Sequence, residues 1–208
     1  GQRLRASAAP GAGPVLLLDH GDNVMSGGSC DTMAVLAECR RQGLAGIAAG
    51  PICDPEAVGA AIAAGVGARV SLAVGNKVPL GLPEAAPPLA VEGRVRALTD
   101  GRFRITGPIY TGQLAAMGRT AVIEADGATL VLTERPMEPL DLGVFTSAGV
   151  DPTRYAYLIL KSRMYCRPVF APLASGMVLC DSRGITSSDY SLFRFRRLRR
   201  PIHPLDRL

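Results

Sequence analysis

Short apolar runs that alternate with helix-like segments constrain the fold of this chain more than any other feature. The runs 14–19, 44–49 and 70–74 are bounded by Gly or polar residues, which is typical of buried strands. Segments with helical spacing of apolar residues separate them. Strands that alternate with helices favour a largely parallel sheet. We therefore predict an α/β fold of three layers with a mainly parallel core sheet.

Two helix-start signals support this order of elements. Asp31, or Ser29 before it, is in position to cap a helix that continues to about Gln42. Asp54-Pro55-Glu56 combines a capping Asp, a Pro at the first helical position and an acid in the first turn. We expect helices to begin near Asp31 and near Asp54.

The middle of the chain has a different pattern. Asp100-Gly101 and Asp126-Gly127 each lie between strand-like runs, and Asp-Gly is a strong signal for a two-residue β-hairpin turn. Arg94, Arg96 and Arg104 interrupt the alternation around the first of these turns, which indicates a bulge or an edge position. We therefore predict an antiparallel β-hairpin extension of the sheet over residues 91–133.

The α/β pattern returns towards the C-terminus. Asp141 is in position to cap a short helix that ends at Gly149, and a buried strand is predicted over residues 155–160. Residues 164–174 are predicted to be helical, although this segment contains two prolines. Residues 177–180 are predicted to form the last core strand.

Composition limits the class of protein. The chain of 208 residues is 48% hydrophobic but has no apolar stretch long enough to span a membrane. Five cysteines without a CxxC pair favour a reduced, cytoplasmic protein. The chain begins without a Met or a signal sequence. We therefore interpret residues 1–13 as a linker from a missing N-terminal domain, and residues 14–208 as one α/β domain.

The net charge of +5 depends strongly on one basic segment, the arginines 194, 196, 197, 199 and 200. Phe193 and Phe195 alternate with the first of these arginines, as in a strand with one buried side. A solvated face or a domain contact is therefore favoured over nucleic-acid binding. An RNA-contacting module stays the less favoured alternative.

Polar residues follow several of the predicted strands at the point where each strand ends. Open α/β sheets bind ligands outside the carboxyl ends of their parallel strands. Lys161 ends an apolar strand and needs an anionic partner, either a carboxylate such as Asp22 or one carried by a substrate. No Ser-His-Asp or Cys-His arrangement follows from the spacing, so the catalytic residues are unknown. We predict a substrate-binding site formed by Asp22, Asn23, Gly27, Gly28, Asp31, Lys161, Ser162 and Arg167.

The loop 23–31 joins a strand to a helix N-terminus, where free backbone N–H groups favour anions. Gly27 and Gly28 would allow the backbone to approach a ligand closely. The loop matches neither a Walker loop nor the GxGxxG fingerprint of dinucleotide-binding proteins. A stand-alone small-molecule or anion-binding module is therefore an alternative function.

Asp19, His20 and Asp22 are residues of the types that bind metals. Neighbouring residues of a strand point to opposite sides, however, and the second histidine, His203, lies between two prolines far along the chain. We expect no zinc site built from this chain alone.

The same residues carry a resemblance to a known family. Segments 19–23, 27–31, 54–58 and 64–68, then Lys161-Ser162 with Arg167, occur in the order found in the C-terminal domain of microcystinase C (MlrC-like) metallopeptidases. The ending 199–206 also resembles that family's terminus. The resemblance extends over nearly the whole chain from about Pro14. Tyr165 departs from the family pattern, which has His there in many relatives, and this puts a proton-transfer role at that position in doubt.

The resemblance implies the C-terminal domain of a zinc-dependent hydrolase that cleaves a peptide bond, best known for a linearised cyclic-peptide toxin. In such an enzyme zinc polarises the carbonyl and activates a water. The resemblance also implies that the metal ligands lie mainly in an N-terminal domain, so that zinc belongs to the full-length parent. The expected partners are that catalytic domain and a peptide or small amide substrate. This chain would contribute substrate contacts or structural support and would be inactive alone.

Overall fold

The computed structural model describes residues 13–82 and 86–206 of the chain. Its strands are β1 Val15–Asp19, β2 Ile47–Cys53, β3 Arg69–Val74, β4 Leu89–Thr99, β5 Arg102–Arg104, β6 Leu114–Ala116, β7 Thr120–Ala125, β8 Ala128–Thr133, β9 Tyr157–Leu160 and β10 Gly176–Cys180. Its α-helices are α1 Ala34–Arg41, α2 Pro55–Ala64, α3 Gly143–Thr146 and α4 Arg167–Phe170.

Eight of these strands form one mixed sheet in the order β10-β1-β9-β2-β8-β7-β4-β3. The first five are parallel to one another, and β7, β4 and β3 follow as antiparallel neighbours. Strands β5 and β6 form a separate antiparallel pair. The predicted mainly parallel core with an antiparallel extension is confirmed.

Helices cover both faces of the sheet because the core strands are apolar on both sides. Val15 and Leu17 pack in one core with α1 and α2, whereas Leu16 and Leu18 pack in the other with α3 and α4. Each of these four side chains is at most 1% exposed. The predicted three-layer arrangement follows from this two-sided burial.

The helix caps agree with the sequence at one site and differ at another. Asp54 caps α2, since its side chain accepts a hydrogen bond from the N–H of Ala57. The helix predicted from Asp31 begins later, at Ala34, and Met33 is its N-cap without a side-chain hydrogen bond. Capping by Asp31 or Ser29 is therefore a wrong prediction. The Asp31 carboxylate accepts hydrogen bonds from the N–H groups of Lys77 and Val78 after β3, and the Ser29 hydroxyl donates to Asp31.

The two Asp-Gly turns have different outcomes. Asp126-Gly127 joins β7 to β8 in a hairpin with continuous register, as predicted. Asp100-Gly101 instead carries the chain from β4 to β5, which pairs with β6 and not with β4, so this hairpin was predicted wrongly. The predicted bulge is present in β4, whose register with β7 shifts between Val95 and Ala97.

Three further expectations need correction. Strand β3 pairs only with β4, and antiparallel to it, so it does not belong to the parallel core. The helix predicted over 164–174 is reduced to α4 and a 3-10 turn at Ala171–Leu173, because prolines interrupt it. Strand β10 is an edge strand with exposed side chains rather than a core strand.

The predicted linker, 1–13, lies outside the described residues except for Gly13. Within the described part of the chain, no helix has the length and apolar character that crossing a membrane requires.

Candidate functional site

Strand register brings the last residue of β1 and the first residue after β9 together. Leu18 of β1 pairs with Leu160 of β9, so Asp19 and Lys161 are neighbours at the carboxyl end of the sheet. The Lys161 Nζ lies 2.7 Å from Asp19 Oδ2 and 3.2 Å from Asp22 Oδ2. It also donates hydrogen bonds to the carbonyl and the hydroxyl oxygen of Thr32. A lysine between two carboxylates is thereby fixed in the interior.

All three charged side chains of this cluster are buried, with Asp19 and Asp22 at 0% and Lys161 at 2% exposed. Burial by itself lowers the pKa of Lys161, but the charges of Asp19 and Asp22 outweigh it and hold the pKa above the ordinary value. The lysine is therefore a permanent cation that balances the charge of one of the two carboxylates, and it cannot act as a base near neutral pH.

The Asp22 carboxylate organises the loop that follows. Its Oδ1 accepts hydrogen bonds from the N–H of Cys30 at 2.8 Å and from the hydroxyl of Ser29 at 3.1 Å. Its Oδ2 accepts from the N–H of Thr32 at 2.9 Å. Gly28 is held against the start of the loop, since a Cβ there would lie 2.6 Å from the backbone carbon of Asp22. The loop is thus closed around an internal anion.

This closure bears on the anion-binding alternative. The N–H groups of Cys30 and Thr32 donate to Asp22, and that of Met25 donates to Glu138 Oε2 at 2.9 Å. The N–H groups of Gly27 and Gly28 donate to carbonyl groups within the loop. The donors that the sequence suggested for an external anion are therefore occupied by groups of the chain itself.

Asp31 and Asp54 tie the turn after β3 to the same end of the sheet. The Asp31 carboxylate accepts hydrogen bonds from the N–H groups of Lys77 and Val78 at 2.8 and 2.9 Å. Asp54 accepts from the N–H of Gly75 at 2.8 Å, and its carboxylate lies 3.0 Å from the Lys77 Nζ. Asp31 and Asp54 thus link loops that are far apart in the sequence.

Ser162 leads to a residue that the sequence analysis missed. Its hydroxyl donates to Glu138, whose carboxylate is 2% exposed and also accepts from the N–H of Met25. Burial raises the pKa of Glu138, although these two hydrogen bonds lower it in part. Glu138 lies in an irregular segment after β8, where no periodic pattern marks it, so only the three-dimensional contacts reveal it.

Two other titratable groups adjoin the cluster. The Cys30 thiol is fully buried, and burial raises its pKa to about 12, so the thiol stays protonated and is not a nucleophile. The buried imidazole of His20 has its Nε2 3.6 Å from Asp181 Oδ1, while its Nδ1 lacks a hydrogen-bond partner among the described residues.

Seven of the eight predicted residues adjoin the carboxyl end of the sheet, but Arg167 is not part of the ion-pair network. Its Nε donates to the carbonyl of Arg163, and no carboxylate in the described part of the chain pairs with its guanidinium. In the described residues the Arg167 guanidinium thus lies outside the ion pairs and hydrogen bonds of Asp22 and Asp31. The remaining seven are Asp22, Asn23, Gly27, Gly28, Asp31, Lys161 and Ser162.

The outer surface of the cluster differs from its interior. Met25 at the tip of the loop is 42% exposed, and Met164 and Tyr165 after β9 are 56% and 43% exposed. Both segments adjoin Lys161, since the N–H of Val24 donates to its carbonyl. The buried ion pairs and hydrogen bonds thus support a surface on which Met25, Met164 and Tyr165 are exposed.

The donor set does not fit a zinc ion. Among the described residues no group of three or more His, Cys, Asp or Glu side chains is arranged to hold a metal. The Lys161 ammonium already lies between Asp19 and Asp22, where a bound cation would have to compete with it.

Comparisons with known proteins identify relatives of this chain. The sequence model of the family described as MlrC C-terminus matches residues 17–197. The chain is 29% identical over 203 residues to microcystinase C of Sphingomonas sp., covering 98% of this chain and 38% of that protein. It also superposes with a TM-score of 0.85 on a crystal structure from Mesorhizobium sp. BNC1, solved as a candidate metallopeptidase, with 28% identity. That match covers 100% of this chain and 40% of the other.

Proposed function

Because this chain belongs to the MlrC C-terminus family, we propose that it is the C-terminal part of a zinc-dependent peptidase or amide hydrolase. In this proposal the chain contributes substrate contacts and structural support, while the metal ligands lie mainly in an N-terminal portion. The chain spans less than half of the relatives that it matches, which leaves room for such a portion. The cytoplasm is the proposed location.

The observation that carries the proposal is the buried Asp19–Lys161–Asp22 cluster at the carboxyl ends of the parallel strands. Ion pairs desolvated to this degree need close geometry, and they fix the groups attached to them. Here the attached group is the glycine-containing loop 23–31, at the edge of the sheet where open α/β folds bind ligands. In this proposal the cluster fixes loop 23–31 in one conformation before a substrate binds.

The proposed substrate-binding residues divide by burial. Asp22, Asp31 and Lys161 are buried and would position the loop rather than touch the substrate. Gly27 is exposed and has φ +94°, and a Cβ built on it meets no atom within 4 Å. A substrate backbone can approach closest at this residue. A peptide or small amide is the proposed substrate class.

Gly27→Asn in the intact gene product tests the loop. Asn tolerates left-handed backbone, so the variant adds a side chain to open surface with little strain. Gly112 is a matched control, since it is exposed, has φ +83° and has nothing within 4 Å of an added Cβ. With a panel of short linear peptides, Gly27→Asn should raise KM by roughly tenfold and leave kcat and Tm near those of Gly112→Asn. Equal KM values for the two variants would remove the loop from the substrate site.

Metal analysis tests the other half of the proposal. The intact gene product should contain zinc, and a chelator should abolish peptide hydrolysis in a way that added zinc restores. An intact product without zinc, or with metal-independent hydrolysis, would contradict the proposal. Stoichiometric zinc held by residues 1–208 alone would show that the metal ligands were assigned to the wrong portion.

A further inference from the structure

Exposed apolar side chains are concentrated near the C-terminus. More than half of the large hydrophobic side chains that are exposed in the described residues lie between Met177 and Ile202, a segment that makes up an eighth of the chain. Single exposed hydrophobics are normal, but a concentration of them marks an interaction surface. We name this set the C-terminal apolar face: Met177, Val178, Leu179, Ile185, Tyr190, Phe195, Leu198 and Ile202.

Strand β10 shows that a hydrophobic core ends abruptly at this face. Register pairs Leu16 with Met177 and Leu18 with Leu179, so each pair lies on the same side of the sheet. Leu16 and Leu18 are 0% exposed, whereas Met177 and Leu179 are 46% and 51% exposed. In the described part of the chain no strand pairs with the outer edge of β10. An uncovered apolar edge strand favours association with another polypeptide segment.

The segment after β10 carries the other members of this set. Thr186 anchors it to the sheet, because its N–H donates to the carbonyl of Gly21 and its hydroxyl donates to that of His20. On either side of this anchor, Ile185, Phe193 and Phe195 line a groove of about 730 Å³ together with Leu80. The segment therefore has a defined position and still presents apolar side chains outward.

Unpaired arginines accompany these side chains. Arg200 pairs with Asp206, but Arg194, Arg196, Arg197 and Arg199 form no ion pair with any described residue. Arg194 and Arg196 lie in the lining of the groove itself. Such a surface is complementary to an apolar patch that carries carboxylates, and it disfavours a second copy of itself, which would bring like charges together.

We propose that the C-terminal apolar face is the docking surface for the preceding portion of the same polypeptide, which covers β10 and the groove with an apolar patch rimmed by acidic residues. This inference depends on the proposal that the chain is the C-terminal part of a larger hydrolase. The relatives supply the length for such a partner, since the chain matches 38% of one and 40% of the other. The matched family is described as MlrC C-terminus, which is consistent with a portion that precedes this chain.

Hydroxyl-radical footprinting of the intact gene product tests the assignment. Met177, Leu179 and Phe195 should be modified on the order of fivefold more slowly than their exposure in this chain implies, because a stable interface excludes solvent. Leu114 and Tyr110, which are 65% and 50% exposed in the separate β5–β6 region, serve as references and should react at the rate that their exposure implies.

Charge substitutions give a second measurement. Leu179→Glu and Phe195→Glu in the intact product should lower Tm more than Leu114→Glu, although all three change exposed positions. The assignment would be overturned if Met177, Leu179 and Phe195 react with hydroxyl radicals as fast as their exposure implies and the three variants lower Tm equally. Protection that disappears on dilution would also overturn it, because it would indicate that a second copy of the protein covers the face. A gene that encodes no preceding portion would overturn it as well. Peptide hydrolysis by the same sample separates failure of this inference from failure of the proposed function.

Discussion

Lys161→Met is the substitution that most directly tests the role of the buried cluster. At an effective dielectric of about 20, attraction over the distances to Asp19 and Asp22 amounts to roughly 6 and 5 kcal/mol. Desolvation of the three charges offsets much of this in the native protein. The substitution removes the attraction but leaves both carboxylates buried, so we expect a loss of about 3–5 kcal/mol in the free energy of unfolding.

Thermal unfolding followed by circular dichroism measures this loss. For a chain of this size the expected decrease in Tm is roughly 6–20 °C. Lys77→Met is the matched control, because Lys77 is the chain's other lysine and its side chain is 25% exposed beside Asp54 and Glu56. Water screens that pair, so its removal should cost less.

Removing a carboxylate together with the lysine distinguishes the cluster from simple loss of packing. Asp19→Asn combined with Lys161→Met should recover part of the lost stability, because one uncompensated charge is removed.

The raised pKa of Lys161 adds a pH criterion. Its contribution is complete below the unfolded value of 10.5 and is lost only as pH rises through the folded pKa. A decrease in Tm under about 3 °C, or no recovery in the double variant, would refute the reasoning.

Three other predictions concern the elements around the cluster. Gly28→Ala places a Cβ 2.6 Å from backbone and should cost about 1–3 kcal/mol in urea unfolding, whereas Gly59→Ala, with open space in α2, should not destabilise. Folding raises the pKa of Glu138 above its unfolded value of 4.5, so above pH 4.5 the native protein loses stability as pH rises. Glu138→Gln has no such ionisation and should therefore become more stable relative to the native protein over that range. Parallel profiles of stability against pH for the two proteins would contradict this. Asp54→Ala removes a helix cap and the partner of the Gly75 N–H, and should cost about 2 kcal/mol or more by the same urea assay; a loss no larger than that of the exposed cap variant Asp151→Ala would argue against it.

The parallel core was predictable because its signals are local. Apolar runs, the Asp54-Pro55 cap and the Asp126-Gly127 turn each act through neighbouring residues, and the structure contains all of them. The direction of β3 was not predictable, since an alternating strand has the same pattern whichever neighbour it pairs with. Asp31 failed as a cap for a similar reason. The N–H groups of Lys77 and Val78 donate hydrogen bonds to its carboxylate, and no local sequence pattern predicts partners so distant in the chain.

The candidate site was predictable as a location but not as a network. Strand ends indicated Asp22, Lys161 and Ser162, and the structure places these residues at the same end of the sheet. Glu138 was missed because it belongs to no periodic element, and only its contacts with Ser162 and Met25 bring it into the site. Arg167 was included because it follows Lys161 in the chain, yet its side chain turns back to the carbonyl of Arg163.

Register explains why charged residues meet in the interior of this chain at all. Leu18 pairs with both Leu160 and Leu179, so the sheet aligns the residues that follow these three leucines. Asp19 therefore reaches Lys161 on one side, and on the other it accepts a hydrogen bond from Ser182. The N–H groups of the Lys161 ammonium are directed at Asp19, Asp22 and Thr32, which leaves none of them for a substrate. If the proposed function is correct, we expect substrate discrimination to depend on the exposed surface of the loop, whereas the buried charges fix the position of that loop.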